Sequence, residues 1–205
     1  MNKKIVIVGA GGHAKVVADV AKLNGYTDIV FLCDDPDVKS FVGYPVVGQS
    51  DRFSGYEEWD FIIAIGDFVD RERIYRNFEK NGLKIVTLVH PSAIIAENVK
   101  IGKGTVVMAG AIINPGSVIG NGCIINTAAT VDHDNIVSDF AHISVGAHLG
   151  GTVKVGRCTW VGIGAVVSNN KSICENIIIG AGAVVTKDLC ESGTYLGIPA
   201  RKVDK

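Results

Sequence analysis

The sequence predicts a small parallel α/β domain followed by a parallel β-helix, and two observations carry that prediction. Every sixth residue from Val89 to Val185 is Val, Ile or Leu, seventeen positions in succession, in a chain that is 47 % hydrophobic. Ahead of that run, short apolar stretches alternate with helical ones, and a glycine-rich turn follows the first of them. A period of six fits neither a helix nor an isolated alternating strand. It fits a coil of flat strands that turns a corner every six residues and sends one aliphatic side chain inward from each strand.

In the first part, Lys4-Ile5-Val6-Ile7-Val8 reads as a buried strand running into Gly9-Ala10-Gly11-Gly12-His13-Ala14-Lys15. A helix is predicted from His13 to Asn24, with Val16, Val17, Val20 and Leu23 on one face and Gly25 as its stop. Ile29-Val30-Phe31-Leu32 is a second strand, ending at Cys33-Asp34-Asp35-Pro36, and Asp60 to Ile65 a third, ending at Gly66-Asp67. Arg71 to Asn81 reads as a helix, and Lys84 to Leu88 as a short strand feeding the repeat. Alternating strands and helices imply a parallel sheet with ligands at the carboxyl ends of its strands. The expected division is residues 1–88 for this domain, 89–188 for the β-helix and 189–205 for a C-terminal extension.

Within the repeat, the residue two before the aliphatic is usually small, as at Ala93, Thr105, Ala111, Ser117, Cys123, Ala129, Ala141, Ala147, Thr159, Ala165 and Ala183. A narrow coil interior demands that. Glycine often follows the aliphatic, as at Gly102, Gly120, Gly156, Gly162 and Gly180, where a turn with φ > 0 is expected. Three hexads make one coil, so residues eighteen apart stack. The seventeen hexads give between five and six coils, roughly 25–28 Å tall at the ~4.8 Å spacing of strands.

Composition narrows the function. A net charge of -1 argues against nucleic acid or an anionic membrane as a bulk electrostatic partner. No run of eighteen apolar residues is present, and Met1-Asn2-Lys3-Lys4 leads straight into a strand rather than a signal segment. The five cysteines are odd in number and lack CxxC spacing, which fits reduced thiols in a cytoplasmic protein.

Gly9, Gly11 and Ala14 match G-x-G-x-x-A between a strand and a helix, with Asp34 about twenty residues on. That chemistry is a phosphate held by backbone N–H groups at a helix N-terminus. A domain of under 90 residues is about half a full doubly wound fold, so one nucleotide is expected rather than two. His13 and Lys15 are candidates to assist the phosphates or are exposed first-turn residues. Asp34 and Asp35 are suited to a base or ribose, or to turn chemistry alone. Gly66 and Asp67 close another strand at the same edge, and Arg71 is a further candidate there or one half of a surface ion pair.

In the β-helix the reactive side chains are histidines. His133 lies two positions past the inward Val131, near a corner, and its stacking partner eighteen residues on is Gly151. A histidine beside an unshielded amide is a general base beside an oxyanion donor. Asp132 and Asp134 flank it; Asp134 reaches the imidazole only if the corner bends the chain, because adjacent strand residues face opposite ways. His142 and Asn126 are further candidates, and His148, just before an aliphatic, reads as a bystander or interface residue. Zinc chemistry would need three histidines to converge, and offsets of nine and fifteen place these on different faces; no metal is expected.

The ordered set Gly9 to Lys15, Asp34-Asp35, Ile63-Ala64-Ile65-Gly66, His90-Pro91-Ser92-Ala93, Asn126-Thr127, Val131-Asp132-His133-Asp134, His142 to Gly146 and Gly197-Ile198-Pro199-Ala200 resembles one family along essentially the whole chain. It is similar to the bacterial sugar O/N-acyltransferases of the sialic-acid O-acetyltransferase type. Within them it most resembles the N-acetyltransferases of UDP-4-amino-sugars in the bacillosamine pathway and their perosamine relatives. The resemblance implies a left-handed β-helix, against the usual crossover hand, and a homotrimer with acetyl-CoA in the grooves between subunits. It implies His133 as general base and Asp134 as its orienter, where many relatives carry Glu. His142 would contact substrate or the acetyl group, and the Gly151 amide would bind the thioester carbonyl. Gly9, Gly11, Gly12, His13, Lys15, Gly66 and Asp67 would surround the nucleotide and its phosphates, Asp34 and Asp35 the uracil, and Asn126 the acceptor. Gly162, Gly180, Ala181, Pro199 and Arg201 are candidates for the coenzyme.

The expected activity is acetyl transfer from acetyl-CoA to the amine of a UDP-linked 4-amino-4,6-dideoxy-N-acetylglucosamine. Sugar O-acetylation and a non-catalytic nucleotide-sugar-binding scaffold are the alternatives.

Overall fold

The computed structural model describes residues 3–203, which fall into two compact units separated between Pro91 and Ser92. The first contains β1 (Lys3–Val8), α1 (Gly12–Leu23), β2 (Tyr26–Leu32), β3 (Ser40–Phe41), β4 (Tyr44–Gly48), β5 (Asp60–Ile63), α2 (Phe68–Lys80) and β6 (Lys84–Ile85). The sheet order is β3-β4-β2-β1-β5-β6, parallel except for the β3–β4 hairpin. Strand β1 lies in the middle, and its Ile5, Val6, Ile7 and Val8 are fully buried, which is why it reads as an unbroken apolar run. From β1 the chain steps outward to β2 and β4, then returns to the other flank of β1 with β5 and β6. That reversal makes the gap between the ends of β1 and β5 a topological switch point, where open α/β sheets bind ligands.

Several local expectations shift. Helix α1 buries Ala14, Val17, Ala18, Val20 and Ala21, whereas Val16 and Leu23, expected on the inner face, are exposed. The seam is built on alanines, which an aliphatic count overlooks. Strand β5 stops at Ile63 rather than Ile65. The expected strand over Lys84 to Leu88 is two pieces, β6 against β5 and a separate Leu88–Val89. The β3–β4 hairpin carried no sequence expectation; it is short and half exposed, and Phe41 anchors it edge-on to Phe31 at 5.2 Å.

The second unit is a coil with three parallel faces. One face stacks Val106–Val107, Ile124–Ile125, His142–Ile143, Trp160–Val161, Ile177–Ile179 and Gly193–Leu196. A second runs from Ile94–Ile95 to Val184–Val185, and a third from Lys100–Ile101 to Ser172–Ile173. Partners are eighteen residues apart, as in Val107↔Ile125, Ile113↔Val131 and Ile119↔Val137. From Val107 to Val185 each aliphatic of the repeat is buried, and the small residues two before it, from Thr105 to Ala183, are buried with them. No long loop interrupts the coils.

One detail of the repeat is corrected. The left-handed backbone does not fall on the glycine after the aliphatic. It falls on the third residue after it, in every hexad from Asn98 (φ 61) to Gly182 (φ 65), including Ala128, Asp134, Phe140 and Thr152. The glycines at 102 and 156 are required for another reason: a Cβ there would lie 2.5 Å from the carbonyl carbon of Gly120 or Cys174 in the next coil. The corner turns on one residue, and the neighbouring coil presses on another.

Candidate active site

The bend at Asp134 answers the question of reach. Its φ of 56 places it in the left-handed region, and its Oδ2 lies 2.9 Å from His133 Nδ1 although the two residues are adjacent. An ionised carboxylate there accepts Nδ1–H, which leaves the Nε2 lone pair free to take a proton. The Asp134 hydrogen bond is the chief cause holding the His133 pKa above the ordinary imidazole value, and the charge of Asp132 acts in the same direction. Asp132 is itself held below the usual carboxylate range, first by Asn114 Nδ2 at 2.8 Å and then by the His133 backbone N–H at 2.8 Å.

The imidazole is seated on Gly151. A Cβ on Gly151 would overlap His133 Nε2 and lie 2.6 Å from its Cε1, so only glycine leaves room for this ring. At two equivalent positions on another face the N–H donates to a side chain of the coil ahead: Lys103 N–H to Asn121 Oδ1 at 2.9 Å, and Asn121 N–H to Asp139 Oδ1 at 2.7 Å. The residue that stacks on Gly151 is Asn169, whose Oδ1 instead folds over Gly150. Among the described residues the Gly151 N–H has no acceptor. A base and an unused amide donor therefore lie side by side, as acyl transfer through a tetrahedral oxyanion requires.

A second cluster occupies the face that carries His142. Asn126 Nδ2 is 3.0 Å from His142 Nε2, the His142 ring stacks on Trp160 with centroids 5.7 Å apart, and Trp160 Nε1 donates to Ser144 Oγ at 2.5 Å. Trp160 and Ser144 were not singled out in the sequence; their eighteen-residue and same-face relation to His142 is the signal that would have found them. His148 pairs its Nδ1 with Thr130 Oγ1 at 2.9 Å.

In the first unit the predicted residues gather at the ends of β1, β2 and β5. Gly9 has φ 110, and a Cβ there would lie 2.9 Å from Ala64 O, so glycine is obligatory. Gly11 caps α1 without a side chain, Gly12 opens it, and both face open space. His13 Nε2 is buried with no hydrogen-bond partner among the described residues. Burial, and secondarily Arg71, push its pKa down to about 4. Arg71 is not part of a surface ion pair: it is 1 % exposed, with Nη1 donating to Ile65 O at 2.9 Å and Gly66 O at 2.7 Å. Asp67 caps α2, accepting from Val69 and Asp70 N–H. Asp34 spends both oxygens on Ser50, at 2.7 Å to its N and 2.9 Å to its Oγ. Asp35 lines an open cleft of about 350 Å³ with Cys33, Lys39, Gln49 and Arg52. Lys15 is exposed, its Nζ 5.9 Å from the centre of the Phe41 ring.

Of the coenzyme candidates, Gly162 sits against the next coil, where a Cβ would lie 2.8 Å from Gly180 C, and Gly180 against the Leu196 side chain. Ala181, Pro199 and Arg201 are exposed, and Arg201 Nη1 donates to Ala200 O at 3.0 Å. Among the described residues, no group of His, Cys, Asp and Glu is arranged to hold a metal.

Comparison with known proteins places this geometry. Residues 4–78 match the PglD N-terminal domain, and residues 92–127 the bacterial transferase hexapeptide of six repeats. The acetyltransferase domain of PglB from Neisseria gonorrhoeae superposes with a TM-score of 0.94 at 40 % identity, over 98 % of this chain and 100 % of that one. This chain belongs to the PglD-type hexapeptide acetyltransferases. Its second unit is the left-handed β-helix of that family. The Neisseria domain has also been solved with acetyl coenzyme A. A histidine-to-asparagine variant of perosamine N-acetyltransferase from Caulobacter crescentus, solved with CoA and GDP-perosamine, has a TM-score of 0.93 at 36 % identity over 98 % of this chain and 97 % of that one. UDP-N-acetylbacillosamine N-acetyltransferase of Bacillus subtilis is 37 % identical over 113 residues, so the match spans about half of that curated relative, 52 %.

Proposed function

We propose that the protein transfers an acetyl group from acetyl-CoA to the amine of a nucleotide-linked 4-amino-sugar, with UDP-4-amino-4,6-dideoxy-N-acetylglucosamine as the acceptor. The observation that carries this reading is His133, bonded through Nδ1 to Asp134 and seated over Gly151, whose N–H is unused. The Bacillus and Caulobacter relatives, both N-acetyltransferases, support an amine rather than a hydroxyl acceptor.

The neutral amine attacks the thioester carbonyl carbon while His133 Nε2 takes its proton. Charge develops on the former carbonyl oxygen and is met by the Gly151 N–H. Collapse of the tetrahedral intermediate breaks the C–S bond, and the CoA sulfur leaves with the proton from the imidazole, giving an amide and CoASH. Asp134 holds the imidazole in the tautomer that presents Nε2 and stabilises its charged form. Asn126 and His142 serve the acceptor and the acetyl group from the neighbouring face. At the switch point of the first unit, the α1 N-terminus and Gly9, Gly11, Gly12, His13, Lys15, Gly66 and Asp67 receive the phosphates. Asp34 and Asp35 lie toward the base, Asp35 being the one with the freer carboxylate. Gly162, Gly180, Ala181, Pro199 and Arg201 line the path of the coenzyme.

The same reading holds that three chains assemble, so that the grooves between coils complete the sites. Exposed Val145, Ile163 and Val166 form an apolar strip on the β-helix that supports this. Light scattering should return three times 21.6 kDa.

A thiol-release assay with acetyl-CoA tests the activity against the UDP-amino-sugar, GDP-perosamine, free sialic acid and CMP-linked sialic acid. The expected result is turnover on the UDP-amino-sugar, a product heavier by one acetyl group, and loss of both in His133→Ala. Turnover confined to a sialic acid would overturn the amine acceptor, and near-normal kcat in His133→Ala would overturn the base.

A further inference from the structure

The column of small inward residues has two misfits, Asn135 and the half-buried Lys171. Asn135 stands where the other hexads, Lys171 apart, place Ala, Ser, Thr, Cys or an aliphatic, and it is completely buried. A buried amide is tolerated only if its hydrogen bonds are made. Here Oδ1 accepts Val153 N–H at 3.1 Å, and Nδ2 faces three carbonyls: Asp132 O at 2.7 Å, Gly150 O at 3.0 Å and His133 O at 3.3 Å.

Part of that pattern recurs along the coil. Thr105 Oγ1 donates to Gly120 O at 2.8 Å and accepts from Cys123 N–H at 3.0 Å. Ser117 Oγ does the same with Asp132 O at 2.7 Å and Asn135 N–H at 3.2 Å, and Thr159 with Cys174 O at 2.9 Å and Ile177 N–H at 3.4 Å. Each hydroxyl ties its coil to the carbonyl fifteen residues on and the N–H eighteen residues on. Asn135 makes the equivalent tie, to Gly150 O and Val153 N–H, and uses the remaining capacity of its NH₂ on the carbonyls of Asp132 and His133 in its own coil. Those two carbonyls belong to the corner that turns on Asp134 and carries the imidazole. Gly150 O belongs to the same peptide group as the Gly151 N–H, and in a trans peptide the two point in opposite directions. A carbonyl drawn inward to Asn135 therefore turns the Gly151 N–H outward.

We propose that Asn135 is a positioning residue for the acetyl transfer, one buried amide that sets both the His133–Asp134 corner and the Gly151 N–H. This rests on the acetyltransferase reading above. Asn135 touches neither substrate nor coenzyme; it acts through the two backbone segments that do the chemistry.

Serine separates this role from plain coil stability, because a hydroxyl at 135 makes the same inter-coil tie as Ser117 and lacks the second donor for the corner. Asn135→Ser should fold with a melting temperature close to that of the parent chain. Its kcat should fall about tenfold, a fraction of what a positioned base contributes, with KM for acetyl-CoA little changed. With the corner loosened, the charged groups at the imidazole, Asp132 and Asp134, hold it less firmly. Its pKa, followed by NMR of histidine-labelled protein, should drop toward 6.5. Asn135→Ala, lacking the tie to Gly150 as well, should lose more activity than Asn135→Ser.

A folded Asn135→Ser with parental kcat and an unmoved His133 titration would overturn the proposal. So would an unfolded Asn135→Ser, since the inter-coil tie alone would then not hold the coil and Asn135 would be a structural residue. The NMR titration needs no turnover, so an inactive parent chain would count against the acetyltransferase reading while leaving the Asn135 corner to be judged separately.

Discussion

Gly151→Ala isolates the seat of the imidazole from every other feature of the site. The added methyl keeps the backbone N–H and, with no left-handed φ at this residue, leaves the chain unstrained. It would overlap His133 Nε2, the nearest ring atom, and approach Cε1 to 2.6 Å, whereas ordinary contact begins near 3.4 Å, so the ring must retreat by about 1 Å. His133 is exposed and can swing outward, so the cost falls on geometry rather than on folding. A displacement of that size at a reacting group costs roughly 10²-fold in rate. The expected outcome is a melting temperature within a degree or two of the parent chain and a kcat about a hundredfold lower in the thiol-release assay. Gly162→Ala is the control with the opposite signature. There the methyl meets backbone of the next coil, 2.8 Å from Gly180 C and 2.9 Å from Ala181 N, which cannot swing away. That variant should lose stability first. A Gly151→Ala protein retaining more than a third of parental kcat would refute the seating of the base on Gly151.

Two further outcomes follow from the titrating groups. His133 must be neutral to act as base, and Asp134 holds its pKa above the ordinary value. The acid limb of kcat/KM should therefore have its midpoint above 6.5 and move to lower pH in Asp134→Asn, with kcat falling about tenfold; an unmoved midpoint would show that Asp134 does not tune the base. His13 is pushed the other way, to about 4. Between pH 6.5 and 4 the unfolded chain takes up a proton that the folded chain refuses, so this group's contribution is intact above 6.5 and lost as pH falls toward 4. Discounted for the partial exposure of the residue, the loss between pH 7 and 4.5 is about 2 kcal/mol. Urea unfolding of His13→Leu should show it, as a gain over the parent chain at pH 4.5 that shrinks at pH 7; a pH-independent difference would mean His13 titrates normally.

The architecture was legible because its determinants are local and periodic. An inward aliphatic every six residues, with a small residue two before it, is imposed by the coil interior and leaves its mark on every hexad. The left-handed corner was misplaced because glycine serves two purposes in the repeat, conformation at Gly104 or Gly116 and clearance at Gly102 or Gly156, and composition alone cannot separate them. The contact of His133 with Gly151 was legible through the eighteen-residue stacking rule. The reach of Asp134 was not, because it depends on one dihedral. Arg71 was open between a site residue and one half of a surface ion pair; its burial follows from the carbonyls at the end of β5, whose positions only the fold supplies. Asn135 broke the small-residue pattern in plain view, yet its meaning lies in four partners drawn from two coils.

The antiparallel return at Arg201–Val203 has a consequence beyond the site. A parallel coil ends in a rung of unpaired backbone groups, which invites a further rung from another molecule. Here Gly193–Leu196 adds to the stack in parallel, and Arg201–Val203 then folds back on it antiparallel. Among the described residues the outermost strand of this face runs against the grain of the coil, is three residues long and carries Arg201 and Lys202, the latter paired with Glu191. Reversal and brevity make it a poor template. On this face the parallel ladder is turned back on itself instead of offering a further parallel rung to a second molecule.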